Sequence, residues 1–133
     1  MRTRPALTIA DAHKMMAACK TEAQKNKWNV SIAIVDDAGY LLLFERVDGA
    51  GPLSAEVAPG KARTAALTRR STKVAEDRLK ERPAFLNFPV DQQIQGGLPI
   101  MYQGECVGAI GVSGVQSHED EQIAQAGINA LGV

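Results

Sequence analysis

Aromatic residues are scarce in this chain. Three Phe, two Tyr and one Trp make up 5% of its 133 residues, so few rings are on hand to sandwich a flat cofactor. Cysteine is scarcer still: Cys19 and Cys106 stand far apart. That excludes a disulfide framework and a CxxC site, and it reads as two reduced thiols with no neighbouring base to activate them. Only two histidines occur, His13 and His118. No two of the His and Cys residues stand at helical spacing to one another, so no closed zinc set can be written and no metal site is expected. Neither sign of charge dominates, with 15 Lys plus Arg against 15 Asp plus Glu. A neutral balance argues against a nucleic-acid partner, which calls for a basic face. No apolar run approaches the ~20 residues that cross a bilayer, so no membrane partner is expected. The stretch MRTRPALTIADAHKMM lacks an uninterrupted apolar core and a cleavage site, so it does not read as a signal peptide. A cytoplasmic location is the default expectation. The length fits one domain, residues 1–133.

What is present alternates cleanly between two periods. Thr8 suits a helix cap, with Asp11 in the first turn. Ala12, Met16, Cys19 and Ala23 then draw an apolar face on a helix ending near Lys27. Trp28 follows, placed to plug the end of the core. VSIAIVD (30–36) is almost wholly apolar, so as a strand it is central or covered on both faces. DDAG (36–39) is turn chemistry, and YLLLFER (40–46) returns as the second arm of a hairpin. VDGAGP (47–52) is glycine-rich but has neither GxGxxG nor a P-loop lysine. A helix is predicted from Ser54, with Pro59 kinking it or delaying its start. GKARTAALTRR (60–70) carries Ala62, Ala65 and Ala66 on a small-residue face. STKVAEDRLKER (71–82) is a further polar helix, stopped by Pro83, and 83–95 is irregular. LPIMY and ECVGAIGVS form a second hairpin around Gln103–Gly104. Ser117 caps a last helix with Ala124, Ile128 and Leu131 on one face. Two hairpins with helices around them predict an α+β domain: one antiparallel sheet flanked by helices.

Several of these stretches together resemble the GlcG/HbpS-like family. They are LTIADAHKMMAACKTEA, VSIAIVDDAGYLLLFERVDGA, GKARTAAL, GGLPI, and GECVGAIGVSG with its acidic closing helix. The family includes small haem-binding proteins and the C-terminal domain fused to some corrinoid adenosyltransferases. The resemblance implies a profilin-like or PAS-like sheet and homo-oligomers up to octamers. It also implies links to haem, to glycolate or diol metabolism, or to aromatic degradation. That spread defines a fold better than a task.

Three groups of residues are candidates for chemistry. Gly108, Gly111 and Gly114 interrupt a predicted strand, which is costly unless another backbone or a ligand comes close. Gly111 and Gly114 gather with Gly96 and Gly97 near one end of the sheet, and backbone amides there, with Ser113, can hold an anion. The other reading is that the glycines only let the alanine-faced helix pack tightly. Lys61 and Arg63 lie beside that small face. The functional reading has Lys61 anchoring a small carboxylate, Arg63 assisting it and Glu56 moving a proton, in hydration, tautomerisation or hydrolysis. The bland reading is a solvated basic face and a first-turn helix charge. On this line the protein binds a small molecule without a cofactor. The alternatives are a non-catalytic accessory protein and a haem-binding or haem-sensing protein, with His13 on the edge of the apolar stripe as ligand. A Ser113–His118–Asp120 triad is rejected, because residues two apart on a helix point in different directions.

Overall fold

The computed structural model describes residues 1–133. Helix α1 (Ile9–Lys25) starts as its sequence demands: Thr8 Oγ1 accepts the Asp11 N–H at 3.1 Å, and the Asp11 carboxylate accepts the Thr8 N–H at 2.8 Å. These reciprocal bonds hold the Asp11 carboxyl below its usual range. After Asn26 the chain passes through Lys27 at φ +59° and enters β1 (Ser31–Asp36). A turn closed by the Asp36 carboxylate, which accepts the Ala38 and Tyr40 N–H groups at 2.9 Å, leads into β2 (Leu41–Arg46).

Helix α2 (Ser54–Thr68) continues through Pro59, which therefore does not delay its start. Ser54 is no cap. Its hydroxyl is buried and bonded to the Ser31 hydroxyl on β1 at 2.8 Å. Arg69, at φ +59°, ends α2, and Ser71 Oγ caps α3 (Thr72–Glu81) by accepting the Lys73 N–H at 3.0 Å. A 3-10 turn over Pro83–Asn87 and an irregular stretch lead to β3 (Gly97–Tyr102). Gln103 and Gly104 both adopt positive φ, the two-residue turn that suits strand twist, and β4 (Glu105–Ser113) returns. Helix α4 (Ser117–Leu131) closes the chain. Gln116, not Ser117, is its N-cap residue, and the Glu119 carboxylate accepts the Gln116 N–H at 3.1 Å.

The four strands form one antiparallel sheet in the order β2-β1-β4-β3, so the predicted α+β architecture is what the chain adopts. Strand β1 is central and buried on both faces, as its continuous apolar run requires. Its alternation divides two unlike cores. Ile32 and Ile34, with Ile110 and Val112 of β4, meet Met15, Met16 and Cys19 of α1 and Ile123 and Ala124 of α4. Ala33, Val35 and Ala109 face the opposite way and meet Ala58, Ala62, Ala65 and Ala66 of α2. Bulky branched residues thus fill the α1/α4 side, while small residues on both partners draw α2 down onto the sheet.

Candidate functional site

Helix α2 carries Lys61 in phase with Ala58, Ala62 and Ala65, the residues it turns toward the sheet. The lysine is therefore carried inward. Its Nζ donates to the Val112 carbonyl at 3.0 Å and to Asp120 Oδ2 at 3.1 Å, and both charged side chains are at most 3% exposed. Asp120 Oδ1 accepts the Val115 N–H at 3.2 Å. Burial pushes the Asp120 carboxyl up to about 6, against the downward pull of the Lys61 ammonium and the Val115 amide.

The glycines converge on this pair. Gly96, at φ +134°, has room for no side chain: a Cβ there would stand 2.6 Å from Lys61 Nζ and 2.8 Å from the Val112 carbonyl oxygen. A Cβ on Gly97 would overlap the Lys61 carbonyl, and one on Gly111 would overlap the Ala58 carbonyl and the Ala62 nitrogen. Gly114 faces the Asn29 carbonyl and Val30 Cα in the same way. The Gly97 N–H donates to Thr72 Oγ1 at 2.9 Å. The hollow expected between the last hairpin and the Lys61 helix is therefore closed. Backbone and alanine occupy it, because the missing side chains are what allow the helix to sit so low.

The other residues of the expected pocket lie apart. Glu56 is exposed near the start of α2, and its carboxylate makes no ion pair. Arg63 packs its chain over Gly39 in the β1–β2 turn and reaches Asp91 at 3.4 Å across an exposed surface. Ser113 is half-buried at the end of β4, opposite Ser31. Lys61, Gly96, Gly97 and Gly111 are brought together; Glu56 and Arg63 are not. Asp120, the partner of Lys61, was readable only in hindsight. It stands three and four residues before Ile123 and Ala124, in phase with the apolar stripe of α4, where a carboxylate needs a partner.

His13 lies on the opposite side of the sheet and is exposed. Lys20 on α1 pairs with Glu45 on β2 at 3.1 Å, and Arg4, in the arm before α1, pairs with Asp37 in the β1–β2 turn. His13 precedes Lys20 by two helical turns, about 10 Å, on the same helix face. On α1 itself, Ile9, one turn before His13, is 53% exposed. His118 is different. It lies in a polar groove with Glu22, Glu121, Gln122 and Gln125. His13 is thus the exposed imidazole with an exposed apolar residue, Ile9, one turn away on its own helix.

Residues 7–129 match the family described as haem degrading protein HbpS-like. The chain belongs to this family. It is 44% identical to Protein GlcG of Escherichia coli strain K12 over 114 residues, 85% of each chain. Among solved structures, a double mutant of HbpS from Streptomyces reticuli is similar at 37% identity and a TM-score of 0.92. The match covers 100% of this chain and 92% of that one. A PduOC:haem complex is similar at 30% identity and a TM-score of 0.86, over 95% of each chain. The HbpS-like fold is thereby confirmed by backbone as well as by sequence. No helix of this HbpS-like chain is long and apolar enough to cross a membrane.

Proposed function

We propose that this protein binds haem, with His13 as the axial ligand, and that this reading replaces the small-carboxylate pocket at Lys61. The observation that carries it is the exposed imidazole of His13 on α1, with exposed Ile9 one turn before it, an apolar residue next to a nitrogen ligand. Lys14, exposed at the next position, adds a positive charge that a propionate would meet. The family's description and the haem complex of a 30% identical relative support the same reading. Haem held there would supply iron redox and ligand-binding chemistry, and the chain's own part is to ligate, orient and shield it.

One exposed imidazole with a single apolar neighbour does not enclose a porphyrin. With so few aromatic side chains in the chain, another copy would complete the site, and the unpaired outer edge of β2 offers a place for it. We therefore read the working form as a homo-oligomer built around haem. Haemin titration tests the site. The wild-type protein gives a sharp, saturable Soret band, His13→Ala abolishes it, and His118→Ala leaves it intact. A band that survives His13→Ala unchanged overturns the assignment. Sedimentation of the apo and haem-loaded forms then tests the assembly.

A further inference from the structure

On the α2 side of the sheet, away from His13, a cavity of 390 Å³ lies between the end of α2, α3 and the irregular segment after it. Its walls include Leu67, Thr68, Arg70, Arg78, Phe88 and Val90. Two features set it apart from an ordinary surface groove. First, both arginines lack an acidic partner. Of the acidic residues near them in sequence, Glu76 and Asp77 pair with Lys73 and Lys80, while Glu81, three residues after Arg78, makes no ion pair; Asp91, just past Val90, pairs with Arg63. Arg78 is half-exposed, but its Nε is buried with no hydrogen-bond acceptor, where a buried donor normally has one. Second, the arginine is held in place. The Arg78 guanidinium stacks 4.9 Å from the Phe85 ring centre, Arg82 stacks on the same ring at 5.1 Å, and Phe88 meets Phe85 edge-on at 4.7 Å. The carbonyl of Phe85 accepts a bond from buried Gln93 Nε2 at 2.8 Å, which ties the segment down.

We propose that this cavity is a binding site for a small carboxylate with a flat apolar body. The carboxylate is received by Arg78 and Arg70, and the body rests against Phe88, Leu67 and Val90. A guanidinium pair matches the fork of a carboxylate, and the volume is in the range of small-molecule pockets. This cavity stands apart from the proposed haem site, and His13 is not among its walls.

Benzoate is the probe, followed by calorimetry and by amide chemical shifts of the full chain. One saturable site is expected, with a Kd of about 0.1–1 mM and shifts concentrated at Thr68, Arg70, Arg78 and Phe88. Arg78→Gln and Arg70→Gln should each weaken it about tenfold. Arg70 is exposed, so its variant stays informative if Arg78→Gln fails to fold. Benzamide, which keeps the ring and loses the charge, should bind at least about tenfold more weakly, and acetate should also bind more weakly than benzoate. The site is overturned by an absence of saturable shifts at these residues, by equal binding of benzamide, or by Arg70→Gln binding with unchanged affinity. Acetate binding as tightly as benzoate overturns the apolar half of the proposal. Haemin binding by wild type in the presence of saturating benzoate should be unchanged, and competition between the two overturns the separation of the sites.

Discussion

Lys61 Nζ and Asp120 Oδ2 stand 3.1 Å apart in a part of the core where both side chains are almost completely excluded from water. The pair joins α2, on one side of the sheet, to α4, on the other, at the end where the β4 backbone supplies a third partner through Val112. Removing one member strands the other. Lys61→Ala should destabilise the protein by about 3–5 kcal/mol, and Asp120→Ala by a similar amount. The double substitution Lys61→Met with Asp120→Leu should recover most of that loss, since two buried charges are replaced by two apolar chains of similar size. Urea denaturation of the three variants measures this. If the double variant is as unstable as the sum of the singles, the pair is not the unit described here.

The same pair confers a pH dependence. The Asp120 carboxyl is raised from 3.8 to about 6 by burial, so between those values the folded protein holds a proton that the unfolded chain has released. Its contribution to stability is full below about pH 4, declines as the pH rises toward 6, and is constant above. Stability measured against Asp120→Asn across pH 4 to 7 should therefore show the wild type losing ground over that window and then running parallel. A wild type that gains on the variant over the window has the opposite sign and refutes the assignment.

Gly111 and Gly104 offer a matched pair of glycine-to-alanine tests. At Gly111 a methyl group meets the α2 backbone at Ala58 and Ala62, atoms that cannot rotate away. Gly111→Ala should cost about 3 kcal/mol or more, at or beyond the usual range for overpacking, because α2 must lift from the sheet. Gly104 has open space around it and only its φ of +79° to contend with, so Gly104→Ala should cost about 1 kcal/mol. Equal costs at the two positions would mean that α2 does not pack as closely as its alanines suggest.

The two thiols should separate under labelling. Cys19 is buried between α1 and α4, and burial pushes its thiol up to about 12. Cys106 is half-buried at the start of β4, with Sγ 3.3 Å from the Gly108 carbonyl oxygen. A maleimide at neutral pH should modify Cys106 alone in the native protein and both residues after denaturation, as peptide mass spectrometry will show. Native labelling at Cys19 would indicate that the α1–α4 seam opens readily.

Much of the architecture was legible because period and punctuation agreed. Thr8 with Asp11, the unbroken apolar run of 30–36, and Gln103–Gly104 between two strands each have a single economical reading. The caps were less so. Ser54 and Ser117 both looked like caps, but Ser54 turned its hydroxyl to Ser31 and Gln116 took the cap position ahead of Ser117. A serine before a helix states only that a hydroxyl is available; which partner it takes depends on what is near.

The amino-acid order by itself determined that this chain makes two hairpins, that one strand is covered on both faces, and that it carries a small-residue helix face and glycine-rich strand positions. Those follow from local periodicity and from steric rules that act within a few residues. Tertiary structure alone decided whether the space beside Gly111 is empty or full, and which acid meets Lys61. A missing side chain permits either a ligand or a neighbouring backbone, and Asp120 lies far along the chain, so only the packed arrangement of α2 and α4 across the sheet selects between them.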